Sequence, residues 1–583
     1  MIPLNSFIMK TKINLTLLTL GLFLIIWFTN SKLIDKQSEE KPLVAMNFVK
    51  CTAPKYLLTA DTTKQISPLF NNLGNLNFKI STSNDRAQAF FNQGLKLSYA
   101  FNHAEGHRSF MEASRLDPNS AMSYWGQAFA LGPNINDPQP DDERKKTYNE
   151  AMAKAKKLAS SSTPKEKALI EALAARYSED LTKDVAELNR SYMYAMAKVV
   201  KKFPEDANIQ ILYAASVMNT VPWNYWDMDG NPSPNIKEAK AALEKAMKIE
   251  PENPGAHHYY IHMVELPYPD LGVPSADKLA SLMPGAGHIV HMPSHIYIRV
   301  GRYKDAVEVN QTAILADEDY ISQCFAQGLY PLAYYPHNIH FLWSSASLLG
   351  SSDIAIDAAK KTAEKVPTGE LVDLPFLQDF AATPLLAYTR FGKWNEILTM
   401  PKPNAKIKHL NLIWHYARGI AFIRKGNAIE AQEELDAIIS LKNDPELENL
   451  VATANNPSIS IANIAFEVVS GELASLKGDL LGAINHLEKA VILEDQLVYT
   501  EPAAWHISTR HNLGAILLKA KKYKEAEKVY KQDLDIIRQN GWSLMGLFQS
   551  YTAQGKTEEA KTIKEEFDNA WQYSDIEINT SVL

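Results

Sequence analysis

The sequence predicts an all-α fold, a solenoid of stacked helical hairpins. The main signal is a glycine followed five residues later by an alanine, and the pairs are Gly301/Ala306, Gly350/Ala355, Gly426/Ala431, Gly478/Ala483 and Gly555/Ala560. Glycine tolerates the positive φ of a tight interhelical turn, and alanine lets two helices approach closely. A chain of 583 residues is too long for one globular core, but repeats that pack only on their neighbours avoid that limit.

A second set of residues follows the spacing of a known repeat. Gly94, Gly106, Phe110, Ala113 and Pro118 fit the tetratricopeptide pattern, with glycine in place of the usual small alanine. Later hairpins match it at Pro251, Tyr303, Pro367, Gly514, Tyr523 and Ala526. The chain from about residue 87 to 574 therefore resembles the tetratricopeptide repeat (TPR) family. The resemblance implies a right-handed superhelix whose concave groove binds ligands.

The N-terminus is typical of an export signal. Lys10 and Lys12 precede an apolar stretch, residues 13–28, and polar residues follow. Because no A-x-A cleavage site follows, an uncleaved membrane anchor is the alternative. In either case we expect an exported protein, periplasmic or membrane-anchored with its repeats facing outward. The strings PGAGHIVHMPSHIYIRVGRY and EPAAWHISTRHNLG also look like those of bacterial exported repeat proteins.

Composition and repeat pattern together divide the chain into segments. We expect a signal peptide or membrane anchor at 1–30, an extended lead-in at 31–66, N-terminal TPR-like hairpins at 67–253, central histidine-rich hairpins at 254–370 and C-terminal hairpins at 371–583. An insertion rich in aromatic and turn residues interrupts the N-terminal hairpins at 221–236. Its Trp223 and Trp226 either cover apolar surface in an irregular loop or form a lid over the histidines that follow.

Eight of the fifteen histidines fall within residues 254–345. Counted from residues 254 and 287, His258 and His262 occupy the same two repeat positions as His291 and His295. A third repeat, counted from residue 336, carries His337 and His340. Residues three and four apart share a helix face. In the family that the chain resembles, these positions line the concave groove, so we expect the imidazoles to converge there.

This convergence predicts a metal site. Neutral imidazole is a common metal ligand that suits zinc, copper or iron, and two histidines four residues apart on a helix form half of such a site. The expected ligands are His258, His262, Glu265, His291, His295, His337 and His340. This number fits one ion with supporting residues or two neighbouring ions. His288 is left out because Pro293 is expected to break the helix and place it in the preceding loop.

Two other functions fit the same pattern. The groove of an interaction scaffold would take a peptide from a partner protein, with the histidines as hydrogen-bonding groups. A metalloenzyme acting on a small molecule would need an open coordination position and a general base, for which Glu265 is the candidate. The formal net charge of −7 argues against a nucleic-acid partner. Membrane contact is expected only through the N-terminal segment.

Overall fold

A computed structural model describes residue 61 and residues 63–227, 230–323, 330–453 and 455–583. Within these ranges the chain consists of helices and their connections, with a few isolated β-bridges and no strands. The all-α prediction is therefore confirmed. The expected export segment lies outside the described residues, as do Cys51 and Cys324.

The chain from residue 63 to 84 follows an irregular path against the first hairpins. Its backbone amides are satisfied by side chains of those hairpins: Ile66 N–H donates to Glu112 at 3.0 Å, and Phe70 N–H donates to Gln93 at 2.8 Å. The Asn72 carbonyl accepts from Gly285 N–H at 2.9 Å. This segment therefore ties the first hairpin to the central ones.

The N-terminal hairpins follow, and their helices cover most of the stretch up to residue 249. They are Asp85–Tyr99, His103–Leu116, Ala121–Leu131, Asp142–Leu158, Pro164–Ala174, Val185–Lys202, Ala207–Met218 and Ile236–Ile249. The connection between the last two contains the aromatic insertion.

The central hairpins carry the histidines. Their helices are Pro254–Val264, Pro269–Leu282, Gly287–His291, Pro293–Val300, Tyr303–Gln323, Tyr335–Leu349 and Ser352–Glu364, with a π-helical turn at Tyr330–Tyr334. The glycines that mark the turns behave as expected, since Gly301 and Gly350 have φ of 81° and 80°. In this left-handed region an L side chain would be strained.

The C-terminal hairpins complete the solenoid. Their helices are Leu377–Arg390, Trp394–Thr399, Lys408–Arg424, Ala428–Lys442, Glu446–Asn449, Ser458–Leu476, Leu480–Asp495, Thr509–Lys519, Tyr523–Ile536, Gly541–Ala553 and Thr557–Trp571. Among the described residues, Ser458–Leu476 is the one helix long and apolar enough to cross a bilayer. Most of it is buried against neighbouring helices, as expected for the core helix of a hairpin.

The last hairpins also pack against the central ones. Tyr303 O–H donates to the Arg538 carbonyl at 2.5 Å, and Trp542 Nε1–H donates to the Ser347 carbonyl at 3.1 Å. After the last helix, the Asp575 carboxylate accepts from the backbone N–H of Ser352 at 2.6 Å. The C-terminal part of the chain therefore covers one side of the histidine-rich hairpins.

Candidate metal centre

Short helices of three consecutive hairpins position the histidines. His258 and His262 lie on Pro254–Val264, and Glu265 caps its C-terminal end. His337 and His340 lie on Tyr335–Leu349. Proline occupies the first turn of both helices, where its missing N–H breaks no hydrogen bond.

The expectation that Pro293 places His288 in a loop is wrong. Pro293 begins a second short helix directly after Gly287–His291, and Met292 between them keeps helical dihedral angles of −53° and −32°. A proline at the start of a helix needs no hydrogen bond, so the second helix can begin directly after the first. His288 therefore belongs to the helical turn that also carries His291.

The rings are enclosed by the protein. His258 and His291 are 0% exposed, and His262, His288 and His295 are also buried. His337 is half-buried. The sequence predicted residues lining an open concave groove, but here the N-terminal and C-terminal hairpins cover these side chains.

His258, His262 and His288 form one group, which we call the aromatic-side trio. Their ligand atoms lie within 4.8 Å of one another. Phe101 stacks on His262 and His288, with ring centroids 5.5 and 5.4 Å away. Trp223, from the aromatic insertion, meets His262 edge-on at 5.1 Å. Aromatic rings thus cover this trio, as the lid interpretation of the insertion requires.

Most ring nitrogens of the aromatic-side trio are buried without a hydrogen-bond partner among the described residues. These are Nε2 of His258 and both nitrogens of His262 and His288. The remaining nitrogen, Nδ1 of His258, lies 2.6 Å from the Tyr99 carbonyl oxygen and must donate to it. This bond leaves the lone pair of His258 on Nε2, facing the other two rings. Buried polar atoms are rarely left unpaired, so these nitrogens are candidate ligands, although His103, His107 and His506 also carry unpaired buried nitrogens.

His291, His295 and His337 form the second group, which we call the carboxylate-side trio. Nδ1 of His291 donates to the Asn310 side-chain oxygen at 2.6 Å, which leaves its lone pair on Nε2. This Nε2 lies 2.9 Å from Nε2 of His295. Two nitrogen ligands on one tetrahedral zinc ion would lie about 3.3 Å apart, given Zn–N bonds of about 2.0–2.1 Å. The two rings are thus already close to the spacing that a shared ion needs.

Two buried carboxylates support His295. Its Nδ1 lies 3.0 Å from Oε2 of Glu265 and 3.2 Å from Oε2 of Glu501. The same Glu265 oxygen is 3.5 Å from Nδ1 of His262, so Glu265 connects the two trios. His262, Glu265 and His295 also form a third group of converging ligand atoms.

The surroundings keep most of these imidazoles neutral. Burial lowers the pKa of His258, His288, His291 and His337 well below the ordinary value, and neighbouring imidazoles lower it further. Burial also lowers the pKa of His295, but Glu265 and Glu501 outweigh it and raise that pKa to about 10. Burial acts to raise the pKa of Glu265, but His295 and His262 outweigh it and lower that pKa to about 2. Neutral imidazole is the form that binds metals.

Six of the seven residues expected as ligands come together, and His340 does not join them. His340 stacks on Trp343 at 4.8 Å and meets Phe380 at 5.3 Å. His257, next to His258, has both nitrogens bonded, to Ser275 Oγ at 3.0 Å and to the Pro251 carbonyl at 2.9 Å.

The sequence analysis missed Glu501 and Phe101 altogether. Glu501 begins the EPAAWHISTRHNLG string, but nothing in that string links it to the central hairpins. Phe101 lies in the turn of the first hairpin and has φ of 57°. In this conformation its ring contacts the histidines.

The TPR family model matches residues 509–541, which span the helices Thr509–Lys519 and Tyr523–Ile536. The chain carries a tetratricopeptide repeat. The resemblance seen in the sequence is thus confirmed at this hairpin, and the fold is a solenoid of helical hairpins of this type. Such solenoids are binding scaffolds that use extended concave surfaces. No curated protein matches the chain.

Several solved structures align with most of the chain. A human IFIT1 dimer with PPP-AAAA is 14% identical, over 84% of this chain and 95% of that one, with a TM-score of 0.33. The APC/C hetero-tetramer Cut9–Hcn1 is 14% identical over 84% and 74%, with a TM-score of 0.26. Yeast Tom70 is 14% identical over 83% and 93%, with a TM-score of 0.28. These TM-scores are low, so the three structures do not bear on what this chain binds.

Proposed function

We propose that this protein binds transition-metal ions in a buried centre built by histidines of three consecutive hairpins. The observation that carries the proposal is the direction of the ring nitrogens. One nitrogen each of His258, His291 and His295 faces a backbone carbonyl, an amide oxygen or a carboxylate. The other nitrogen of each ring faces neighbouring imidazoles.

This is the pattern that metal-binding histidines need. A ligating imidazole usually donates its second N–H to a carbonyl or carboxylate, which fixes the tautomer and orients the ring. His257 differs, because neither of its nitrogens faces another imidazole and they contact Ser275 Oγ and the Pro251 carbonyl instead. In the aromatic-side trio, buried nitrogens are left without a partner. A metal ion would satisfy several of them at once.

The donor set suits zinc, copper or iron, since it combines imidazoles with carboxylates among the described residues. When bound, such an ion would supply a Lewis acid, and copper or iron would also supply one-electron chemistry. The chain's own residues hold the rings in place, exclude bulk water and offset positive charge through Glu265 and Glu501.

A peptide partner that contacts the same histidines is the second candidate. TPR-type solenoids favour it in general, because their concave surfaces bind partners. The burial of these rings argues against it at this location, since His258 and His291 have no exposed surface. We therefore assign the histidines to metal and leave any protein partner to other faces of the solenoid.

Metal analysis of protein purified without an affinity histidine tag tests the proposal. The His262→Ala/His295→Ala double variant removes one ligand from each trio. We expect stoichiometric metal in the unaltered protein and at least a tenfold loss in the double variant. His415→Ala/His486→Ala is the matched control, because it removes two histidines that pair with glutamates elsewhere in the solenoid. Equal metal content in the two double variants, or none in the unaltered protein after incubation with metal, would contradict the proposal.

A further inference from the structure

The two trios differ in the charge that surrounds them. In the carboxylate-side trio, His295 lies within 3.0 and 3.2 Å of two buried carboxylates, those of Glu265 and Glu501. In the aromatic-side trio, no described carboxylate forms a hydrogen bond of normal length to a ring nitrogen. Oε2 of Glu265 lies 3.5 Å from Nδ1 of His262. The covering groups are Phe101 and Trp223.

From this difference, and on the basis of the metal-binding function proposed above, we infer that the centre holds two different ions. The carboxylate-side trio takes a divalent ion such as zinc. The aromatic-side trio takes a monovalent copper ion.

Two positions follow from the grouping of the ligand atoms. The three ligand atoms of each trio lie within 4.8 Å of one another, and so do those of His262, Glu265 and His295, which join the trios. An ion with metal–nitrogen bonds of about 2.0–2.1 Å takes about four ligands and cannot bind six imidazoles. Each trio therefore supplies most of the ligands for one ion.

Charge then decides which ion each trio accepts. Burying a charge in apolar surroundings costs free energy that rises with the square of the charge, so a monovalent ion costs about a quarter of what a divalent ion costs. In the aromatic-side trio the carboxylate within reach is that of Glu265, which lies 3.5 Å from His262 and is shared with His295, so less negative charge is available to compensate a buried ion. Among transition metals that bind imidazole, copper is the one with a stable monovalent form.

The opposite holds in the carboxylate-side trio. Glu265 and Glu501 provide the negative charge that makes burial of a divalent ion favourable. Glu265 also accepts a hydrogen bond from the outer nitrogen of His295, which strengthens that ring as a ligand.

Competitive titrations of the metal-stripped full-length protein test this inference. Cuprous ion is added without oxygen in the presence of bicinchoninate, and zinc is added separately against a chromophoric chelator. Native mass spectrometry then counts the ions bound when both are present. We expect one copper and one zinc per chain.

His288→Asn and His337→Asn form a matched pair, since each removes one ligand from one trio. We expect His288→Asn to weaken cuprous binding at least tenfold and to leave zinc binding within twofold. His337→Asn should weaken zinc binding at least tenfold and leave cuprous binding within twofold. Trp223 gives a readout that leaves the histidines intact. Cuprous ion should quench its fluorescence, and the Trp223→Phe variant should lose that component.

The possible outcomes separate the two proposals. One ion per chain, or equal weakening of both ions by both variants, would overturn the two-ion inference and leave metal binding intact. Zinc in both positions would overturn the assignment of copper. Failure of both ions to bind would remove the metal-binding proposal itself. Circular dichroism checks that each variant is folded, and if a histidine variant is not, the Trp223 quenching decides.

Discussion

Oε2 of Glu501 lies 3.2 Å from Nδ1 of His295, although the two residues belong to hairpins far apart in the sequence. Glu501 stands in the connection between the helices Leu480–Asp495 and Thr509–Lys519. Both side chains are buried, and burial raises the pKa of Glu501 even though His295 opposes it. The C-terminal hairpins therefore bring a buried carboxylate next to the central histidines.

Replacing Glu501 tests whether this contact supports metal binding. Glu501→Gln keeps the shape and one acceptor oxygen but removes the negative charge. Because partners of ligating histidines contribute about 10–100-fold to affinity, we expect zinc binding to weaken by about tenfold. A chelator-competition titration measures the change. Glu488→Gln, at an exposed position, is the control and should bind zinc like the unaltered protein. Equal zinc affinity in the two variants would rule out this role for Glu501.

The convergence of the histidines could be predicted because it depends on local geometry. His258 and His262 share a helix face, His291 and His295 lie four residues apart on two successive short helices, and equivalent helices of adjacent hairpins lie side by side. No knowledge of distant contacts is needed for that step. The same reasoning predicted the hairpins and the positive φ of Gly301.

Residues brought in by long-range packing could not be predicted. The contact of Glu501 depends on how the last hairpins fold back, and the contact of Phe101 depends on an unusual turn. His340 shows a limit of the face argument itself. Residues on an α-helix are about 100° apart, so a residue three positions after His337 points about 60° away from it. That offset is enough to turn His340 towards Phe380 on the next hairpin.

The turn at Gly301 gives a prediction about stability. Gly301 has φ of +81°, and a Cβ there would come within 2.7 Å of the Gln539 side chain. We expect Gly301→Val to lower the free energy of unfolding by about 1–2 kcal/mol from backbone strain and by about 1–3 kcal/mol more from the clash. Denaturant unfolding followed by circular dichroism measures the loss.

Gly426 separates these two causes. Its φ is +80°, but nothing lies within 4 Å of a Cβ built there. Gly426→Ala should therefore show only the backbone cost, and Gly301→Ala should cost clearly more. Equal losses for the two alanine variants would mean that the contact between Gly301 and the last hairpins contributes nothing.

A buried carboxylate outside the metal centre makes stability depend on pH. Burial raises the pKa of Glu494 from 4.5 to about 7, although Thr509 donates to it through its backbone N–H and its hydroxyl. The folded state therefore keeps this proton between pH 4.5 and pH 7, where the unfolded state loses it. Stability falls as pH rises through that window, by about 3 kcal/mol in total from this group, and stays level above it.

Glu494→Gln should remove this dependence. The amide can still accept a hydrogen bond from Thr509, and it does not ionise. We expect the variant to be more stable than the unaltered protein at pH 8 by up to about 3 kcal/mol, with little difference at pH 4.5. Urea unfolding at several pH values measures the two curves. Parallel curves would show that Glu494 ionises equally easily in the folded and unfolded states.

The position of the aromatic insertion leads to a prediction about how fast metal leaves the centre. Trp226 anchors the insertion, because its Nε1–H donates to the Met263 carbonyl at 2.7 Å. Trp223 covers His262 and has φ of 63°, a conformation that glycine adopts without strain. Trp223→Gly should therefore uncover the aromatic-side trio without unfolding the insertion.

We expect copper to transfer from the Trp223→Gly variant to an excess of bicinchoninate severalfold faster, as measured by stopped-flow absorbance. Tyr194→Ala removes an exposed aromatic ring from the Val185–Lys202 helix and should leave the rate unchanged. If Trp223→Gly also leaves the rate unchanged, copper reaches the histidines by another path and Trp223 is not a cover over them.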